Sequence, residues 1–135
     1  MDRLKVSRRG RGSWAEGEAA RFLGAKGYRI VESNFFSRRG EIDLIVEKAE
    51  ELVFVEVRYR GAEGFGVPGE SVGRSKRRRL ILAAKAYLMI RGEMERPCRF
   101  DIVSLQRTKE GSLRIEHWPN AFDRNGRPTG SWSGG

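Results

Sequence analysis

The stretch GEIDLIVEKAEELVFVEVRY, residues 40 to 59, decides how the chain folds. Leu52 and Phe54 alternate with Val53, Val55 and Val57, so both sides of this segment are apolar, as in a strand covered on both faces. Glu41 to Lys48 reads as the strand before it, joined to Glu51 to Tyr59 by a short polar hairpin at Ala49-Glu50. Upstream, Tyr28 to Phe36 is rich in aromatic and β-branched residues and is broken by the turn Ser37-Arg38-Arg39-Gly40. Three consecutive strands with short connections predict an antiparallel meander.

Ser13-Trp14-Ala15-Glu16 has the form of a capping box, which predicts a helix from Trp14 to Lys26 ended by Gly27. Its apolar stripe is Ala15, Ala19, Phe22 and Leu23, and Glu18 borders that stripe without a capping role. After a glycine-rich loop, Gly61 to Gly73, a second helix is expected from Ser75 to Arg91, with Lys76, Leu80, Ala83 and Tyr87 on one stripe. Strands at Cys98 to Gln106 and Ser112 to Trp118 follow, joined by the Lys109-Glu110-Gly111 turn. The order α-β-β-β-α-β-β predicts an α/β fold in which the second helix carries a right-handed crossover to a parallel strand, giving a mixed sheet with helices packed against it. Residues 1–12 are expected to be a basic disordered N-terminus, 13–122 one domain, and 123–135 a disordered tail.

A chain of 135 residues with 39% hydrophobic and 33% charged content builds one core and offers no apolar run long enough for a bilayer. The N-terminal residues lack the apolar centre of a secretory signal, and the lone Cys98 requires no oxidising compartment, so a cytoplasmic protein without a membrane partner is expected. With 27 Lys and Arg against 18 Asp and Glu, the formal net charge is +9. The positive residues cluster at Arg8, Arg9 and Arg11, at Arg38 and Arg39, and at Arg74 with Lys76, Arg77, Arg78 and Arg79. This favours a polyanionic partner, most simply nucleic acid bound by Arg38, Arg39, Arg74, Arg77 and Arg78; the plainer alternative is a solvated, solubilising surface.

Alternation places Glu41, Asp43 and Ile45 on one face of their strand, and Phe54, Glu56 and Arg58 on one face of the next. If the register joins those faces, Asp43 and Glu56 become neighbours. Glu56 stands between Val55 and Val57, where an unpaired carboxylate loses several kcal/mol of hydration. A divalent cation between the acids, a salt-bridge network with Arg58, or protonation of one acid would each compensate. His117 and Cys98 have no metal-binding company and read as packed residues, while Asp101 has no assigned role. Trp14, Phe35 and Phe36 are either core or base-stacking residues.

Gly17-Glu18-Ala19-Ala20, Gly40-Glu41-Ile42-Asp43-Leu44-Ile45, Phe54-Val55-Glu56-Val57-Arg58, Lys76 with Ala86-Tyr87-Leu88, Arg99-Phe100-Asp101-Ile102-Val103 and Asn120-Ala121-Phe122 occur in one order. Over residues 14 to 122, that combination resembles the YraN family of uncharacterised bacterial proteins. That family resembles the restriction-endonuclease-like PD-(D/E)xK nucleases, particularly the archaeal Holliday-junction resolvases. The resemblance implies Mg²⁺ or Mn²⁺ held by Asp43, Glu56 and the Val57 carbonyl, with Glu18 an accessory acid, and phosphodiester hydrolysis on branched or structured DNA. It also implies a homodimer.

The resemblance calls for lysine two residues after Glu56, where this chain has Arg58. Arginine stays protonated and serves as a fork for phosphate, not as a base. Lys76 could supply the missing ammonium if the start of its helix overhangs Glu56. The competing expectations are a nuclease-like module that binds nucleic acid without cutting it, and a basic protein-interaction module whose acids form only a salt bridge.

Overall fold

The computed structural model describes residues 3–61, 72–130 and 132, and gives only the backbone for residues 3–13. Its elements are α1 (Arg3–Ala25), β1 (Arg29–Ser37), β2 (Gly40–Lys48), β3 (Glu51–Arg60), α2 (Arg74–Arg91), β4 (Cys98–Arg107) and β5 (Leu113–Phe122). The element order α-β-β-β-α-β-β is the expected one. The five strands form one sheet in the order β1-β2-β3-β4-β5. Only β3 and β4 pair in parallel, and α2 is the crossover between them.

The double-sided apolar pattern of β3 has the expected cause. Leu52 and Phe54 pack under α2 with Ile45, Leu80, Tyr87 and Phe100. Val53 and Val55 pack on the other face with Ala19 and Leu23 of α1 and with Val103 and Leu105 of β4. Gly27 ends the first helical segment with φ +97°, and the Tyr28 N–H returns to the Leu23 carbonyl at 3.1 Å. Gly92 does the same for α2, its N–H reaching the Leu88 and Met89 carbonyls. The expected loop Gly61 to Gly73 lies mostly outside the described residues.

Three expectations are corrected. First, α1 starts at Arg3 instead of Trp14, so residues 3–12 are helical and Ser13-Glu16 is not a helix start. Extending a helix already anchored through Ala15, Ala19 and Leu23 needs no new nucleus, so Gly10 and Gly12 slow propagation without stopping it. Second, the segment after Phe122 folds back on the domain through the described residues up to Gly130 and Trp132. The Asp123 carboxylate accepts the Asn125 and Arg127 N–H groups at 2.8 and 3.0 Å, Pro128 bridges to Phe122, and the Thr129 N–H reaches the Ala121 carbonyl at 3.1 Å. Burial of Trp132 to 4% exposure against Phe122 is what makes this segment worth ordering.

Third, strict alternation fails in β2. Ile42 and Ile45, three residues apart, both belong to the α2-side core, so Asp43 does not share a simple face with Ile45. Opposite Asp43, between the pairs Ser33↔Leu44 and Phe35↔Ile42, Asn34 adopts φ +56°. At this irregularity the Asp43 carboxylate accepts the Val57 N–H of β3 and the Asn34 amide donates to Glu16 of α1.

Gly40 fixes the β1–β2 turn against α2. A Cβ at this position would lie 2.4 Å from the Arg79 carbonyl oxygen, a backbone atom that a rotamer change does not move. Gly40→Ala is therefore expected to destabilise the fold by about 1–3 kcal/mol, the range for overpacked sites, as measured by denaturant unfolding. A variant as stable as the parent would show that the turn moves freely off the helix.

Candidate active site

The β2–β3 ladder runs from Lys48↔Glu51 to Leu44↔Val55. The Asp43 carboxylate then takes over from the ladder, its Oδ2 accepting the Val57 N–H at 2.9 Å. N–H and C=O of one residue leave a strand along the same edge, so the Val57 carbonyl faces the same gap. Glu56, only 4% exposed, meets the Lys76 ammonium from the first turn of α2 at 2.9 Å. Glu16, on α1, is held by the Asn34 side-chain amide at 2.8 Å.

Asp43, Glu56 and Lys76 meet at a cleft of about 430 Å³ that is also lined by Phe36, Arg38, Arg39, Glu41 and Arg79, among others. A wider hollow of about 1130 Å³ lies at the other end of the β2–β3 hairpin, where Glu47 is committed to Arg29 and Arg96. Only the smaller cleft gathers carboxylates that electrostatics disfavours. Burial and the neighbouring Glu56 charge push the Asp43 carboxyl well above the usual carboxylate range, against the lowering effect of the Val57 N–H. Burial raises Glu16 as well, and the charges of Glu41 and Glu56 add to the rise while the Asn34 bond opposes it. Crowded acids, a single ammonium and exposed guanidinium groups at the rim form a site able to take a cation or a phosphate.

The expected residues divide clearly. Asp43, Glu56 and Lys76 converge, and Arg38 and Arg39 line the same cleft. Glu18 pairs instead with Arg21, one turn along α1, and Glu16 is the helix acid that faces Asp43 and Glu56. The capping-box pattern concealed this by assigning Glu16 to a helix start. Arg58 is half-buried, in register with Ser104, and is not among the described residues lining the cleft. Arg74 and Arg78 are exposed on α2. Arg77, expected on the nucleic-acid surface, turns inward: its guanidinium donates to the Gly126 and Val72 carbonyls, each at 2.7 Å, and lies over Trp132. It clamps the folded C-terminal segment to α2. Arg79, read in the sequence as part of the basic cluster but not among the expected nucleic-acid contacts, joins the rim because it follows Lys76 by three residues on the same side of the helix.

A second polar cluster lies on the α1 side of the sheet. Asp101, fully buried, accepts from Arg99 Nε at 2.9 Å, from His117 Nε2 at 2.7 Å and from the Asn120 N–H at 2.9 Å. Because Nε2–H donates to Asp101, His117 Nδ1 is left to accept from the Lys26 ammonium at 2.8 Å. Burial opposes the Asp101 charge, but the bonds from His117, Arg99 and Asn120 outweigh it and hold this carboxyl below its ordinary range. His117 is thus a packed histidine serving a buried carboxylate.

Fold and cleft together define a small mixed α/β domain in which Asp43, Glu56 and the Lys76 ammonium meet where β2 and β3 part, with Glu41 also lining the cleft. The chain belongs to the uncharacterised protein family UPF0102, whose model matches residues 15–105, in agreement with the YraN resemblance of the sequence. It is 45% identical over 119 residues to a UPF0102 protein of Anaeromyxobacter dehalogenans, covering 87% of each chain. It is 46% identical over 111 residues to a UPF0102 protein of Symbiobacterium thermophilum, covering 82% of this chain and 94% of the relative. A UPF0102 protein of Hahella chejuensis is 48% identical over 92 residues, covering 68% of this chain and 74% of the relative. No helix among the described residues is long and apolar enough to cross a membrane.

Proposed function

We propose that this protein is a metal-dependent endonuclease of the restriction-endonuclease-like, PD-(D/E)xK type that hydrolyses phosphodiesters in branched or otherwise structured DNA. The observation that carries the proposal is the meeting of Asp43, Glu56 and the Lys76 ammonium in one cleft rimmed by arginines. Among the described residues no group of three or more His, Cys, Asp or Glu is placed to hold a metal by itself. Two carboxylates and the Val57 carbonyl remain, a hard oxygen set that suits Mg²⁺ or Mn²⁺, which fill their other positions with water and substrate phosphate. Bound there, the cation supplies positive charge that acidifies a water and offsets charge on the scissile phosphate.

The protein's own groups do the rest. Lys76 donates to the oxygen it faces and positions the attacking water, the part that the always-protonated Arg58 performs poorly. Arg38, Arg39 and Arg79 take the flanking phosphates. Burial and the Glu56 charge hold the proton on Asp43, and a cation would have to displace that proton into solvent, so metal uptake is expected to strengthen as pH rises.

The test is a cleavage assay on branched, single-stranded and duplex DNA with Mg²⁺, Mn²⁺ or chelator, alongside calorimetric titration of each metal. Metal-dependent cutting that Asp43→Asn abolishes is expected. Asparagine keeps an acceptor for the Val57 N–H while removing a charge that the fold disfavours. A carboxyl with a raised folded pKa stabilises the protein below its unfolded pKa, and that contribution is lost as pH rises through the folded value. Metal-free Asp43→Asn is therefore expected to gain roughly 0.5–2 kcal/mol over the parent at neutral pH. No cleavage of any substrate, together with no metal uptake, would overturn the enzyme assignment. DNA affinity that falls steeply with salt would then favour the non-cutting module, and no DNA binding at low salt the protein-interaction module.

A further inference from the structure

Two adjacent phenylalanines of β1 have different fates. Phe35 packs edge-on against Tyr87, ring centroids 5.2 Å apart, beside the α2-side core. Phe36 is 58% exposed and forms part of the wall of the acidic cleft. Its place is set by a braced turn. The Ser37 hydroxyl accepts the Arg39 and Gly40 N–H groups, each at 3.2 Å, and donates to the Gly40 carbonyl at 3.1 Å, while Gly40 abuts the backbone of α2. The exposed side chains of Arg38, Arg39 and Arg79 surround the same opening.

An aromatic ring left mostly in water costs the fold hydrophobic stabilisation and adds little to the core. Beside carboxylates and guanidinium groups, its π-face suits a ligand that is both planar and anionic. A nucleotide unit is such a ligand, its base stacking on the ring and its phosphates reaching the arginines. In a continuous duplex both faces of a base are already covered by its neighbours, and only an unpaired or extruded base can cover Phe36.

We infer that Phe36 is a stacking platform that selects DNA carrying an unpaired nucleotide beside the scissile phosphate. This rests on the nuclease reading of the cleft. A gap, flap or unpaired junction nucleotide places its base on Phe36 and its phosphodiester over Asp43 and Glu56, whereas unbroken duplex engages only the arginine rim.

The experiment measures equilibrium binding by fluorescence anisotropy in chelator, so that nothing is cut. The probes are a labelled unbroken duplex, the same duplex with a short single-stranded gap, and that gap built from abasic nucleotides. The parent protein is expected to bind the gap with bases about five- to a hundredfold more tightly than the abasic gap, the span that base–aromatic stacking covers. Phe36→Ala should reduce the first affinity to the level of the second and leave duplex binding unchanged; Phe36→Trp should restore the difference. Because the ring is exposed, the alanine variant keeps its fold, which a melting curve verifies. Equal affinity of the parent for the two gaps, or an unchanged preference in Phe36→Ala, overturns the platform and leaves the nuclease proposal standing if metal-dependent cleavage persists. A change of oligomeric state in Phe36→Ala, read by sedimentation, also overturns it and assigns the ring to a contact between copies. Failure to bind any of the three probes overturns the platform together with the nuclease proposal.

Discussion

Asp101→Ala is expected to lower folding stability by about 3–5 kcal/mol, the range for removing one partner of a buried ion pair. Asp101 is fully buried and satisfies three donors at once, Arg99, His117 and the Asn120 N–H. Alanine removes the Asp101 acceptor from all three, leaving Arg99, whose side chain is only 21% exposed, with Glu51 and Tyr28 as its remaining partners. Denaturant titration at neutral pH reads the loss, and a loss under 1 kcal/mol would mean that solvent replaces the carboxylate. The pH dependence gives a second readout. Asp101 has its folded pKa below the ordinary value, so its contribution is present above the unfolded pKa and disappears as pH falls through the folded one. The gap between parent and variant should therefore narrow below about pH 4, where a free aspartate takes up its proton.

The Lys76→Met variant is expected to cleave DNA roughly 10²–10⁴-fold more slowly than the parent, the usual contribution of a positioned proton-transfer or water-orienting group. DNA affinity should hardly change, because three arginines remain at the rim. Because Lys76→Met also leaves Glu56, whose side chain is only 5% exposed, without this counter-charge, a melting curve must first show the variant folded at the assay temperature. Lys76→Arg separates charge from chemistry. It retains the ion pair with Glu56 but brings a group that stays protonated, so cleavage should remain depressed. Parent-like cleavage by Lys76→Met would instead mean that the ammonium is only the counter-charge of Glu56.

Arg77 and Trp132 show where local pattern stops being informative. A run of cations at the start of α2 looks the same whether a guanidinium faces water or two backbone carbonyls. The glycine-rich ending gives no periodic signal, yet its described part is ordered because a single large aromatic ring finds room beside Phe122. Phe35 and Phe36 are likewise the same residue type in the same strand, and only the surrounding elements decide that one is core and the other a cleft wall.

What the sequence determined by itself was whatever depends on near neighbours along the chain. The double-sided apolar run of β3 required a central strand, Gly27 required a helix end, and the order of periods required a mixed sheet with a helical crossover. A glutamate between two valines of that apolar run also required a compensating partner, whatever that partner was. The tertiary structure decided which partner it was, bringing Lys76 from twenty residues away in the chain to Glu56 and turning Glu16, not Glu18, toward Asp43. Those choices depend on how two helices end over a split in the sheet, a geometry set by packing between distant segments that no local spacing encodes.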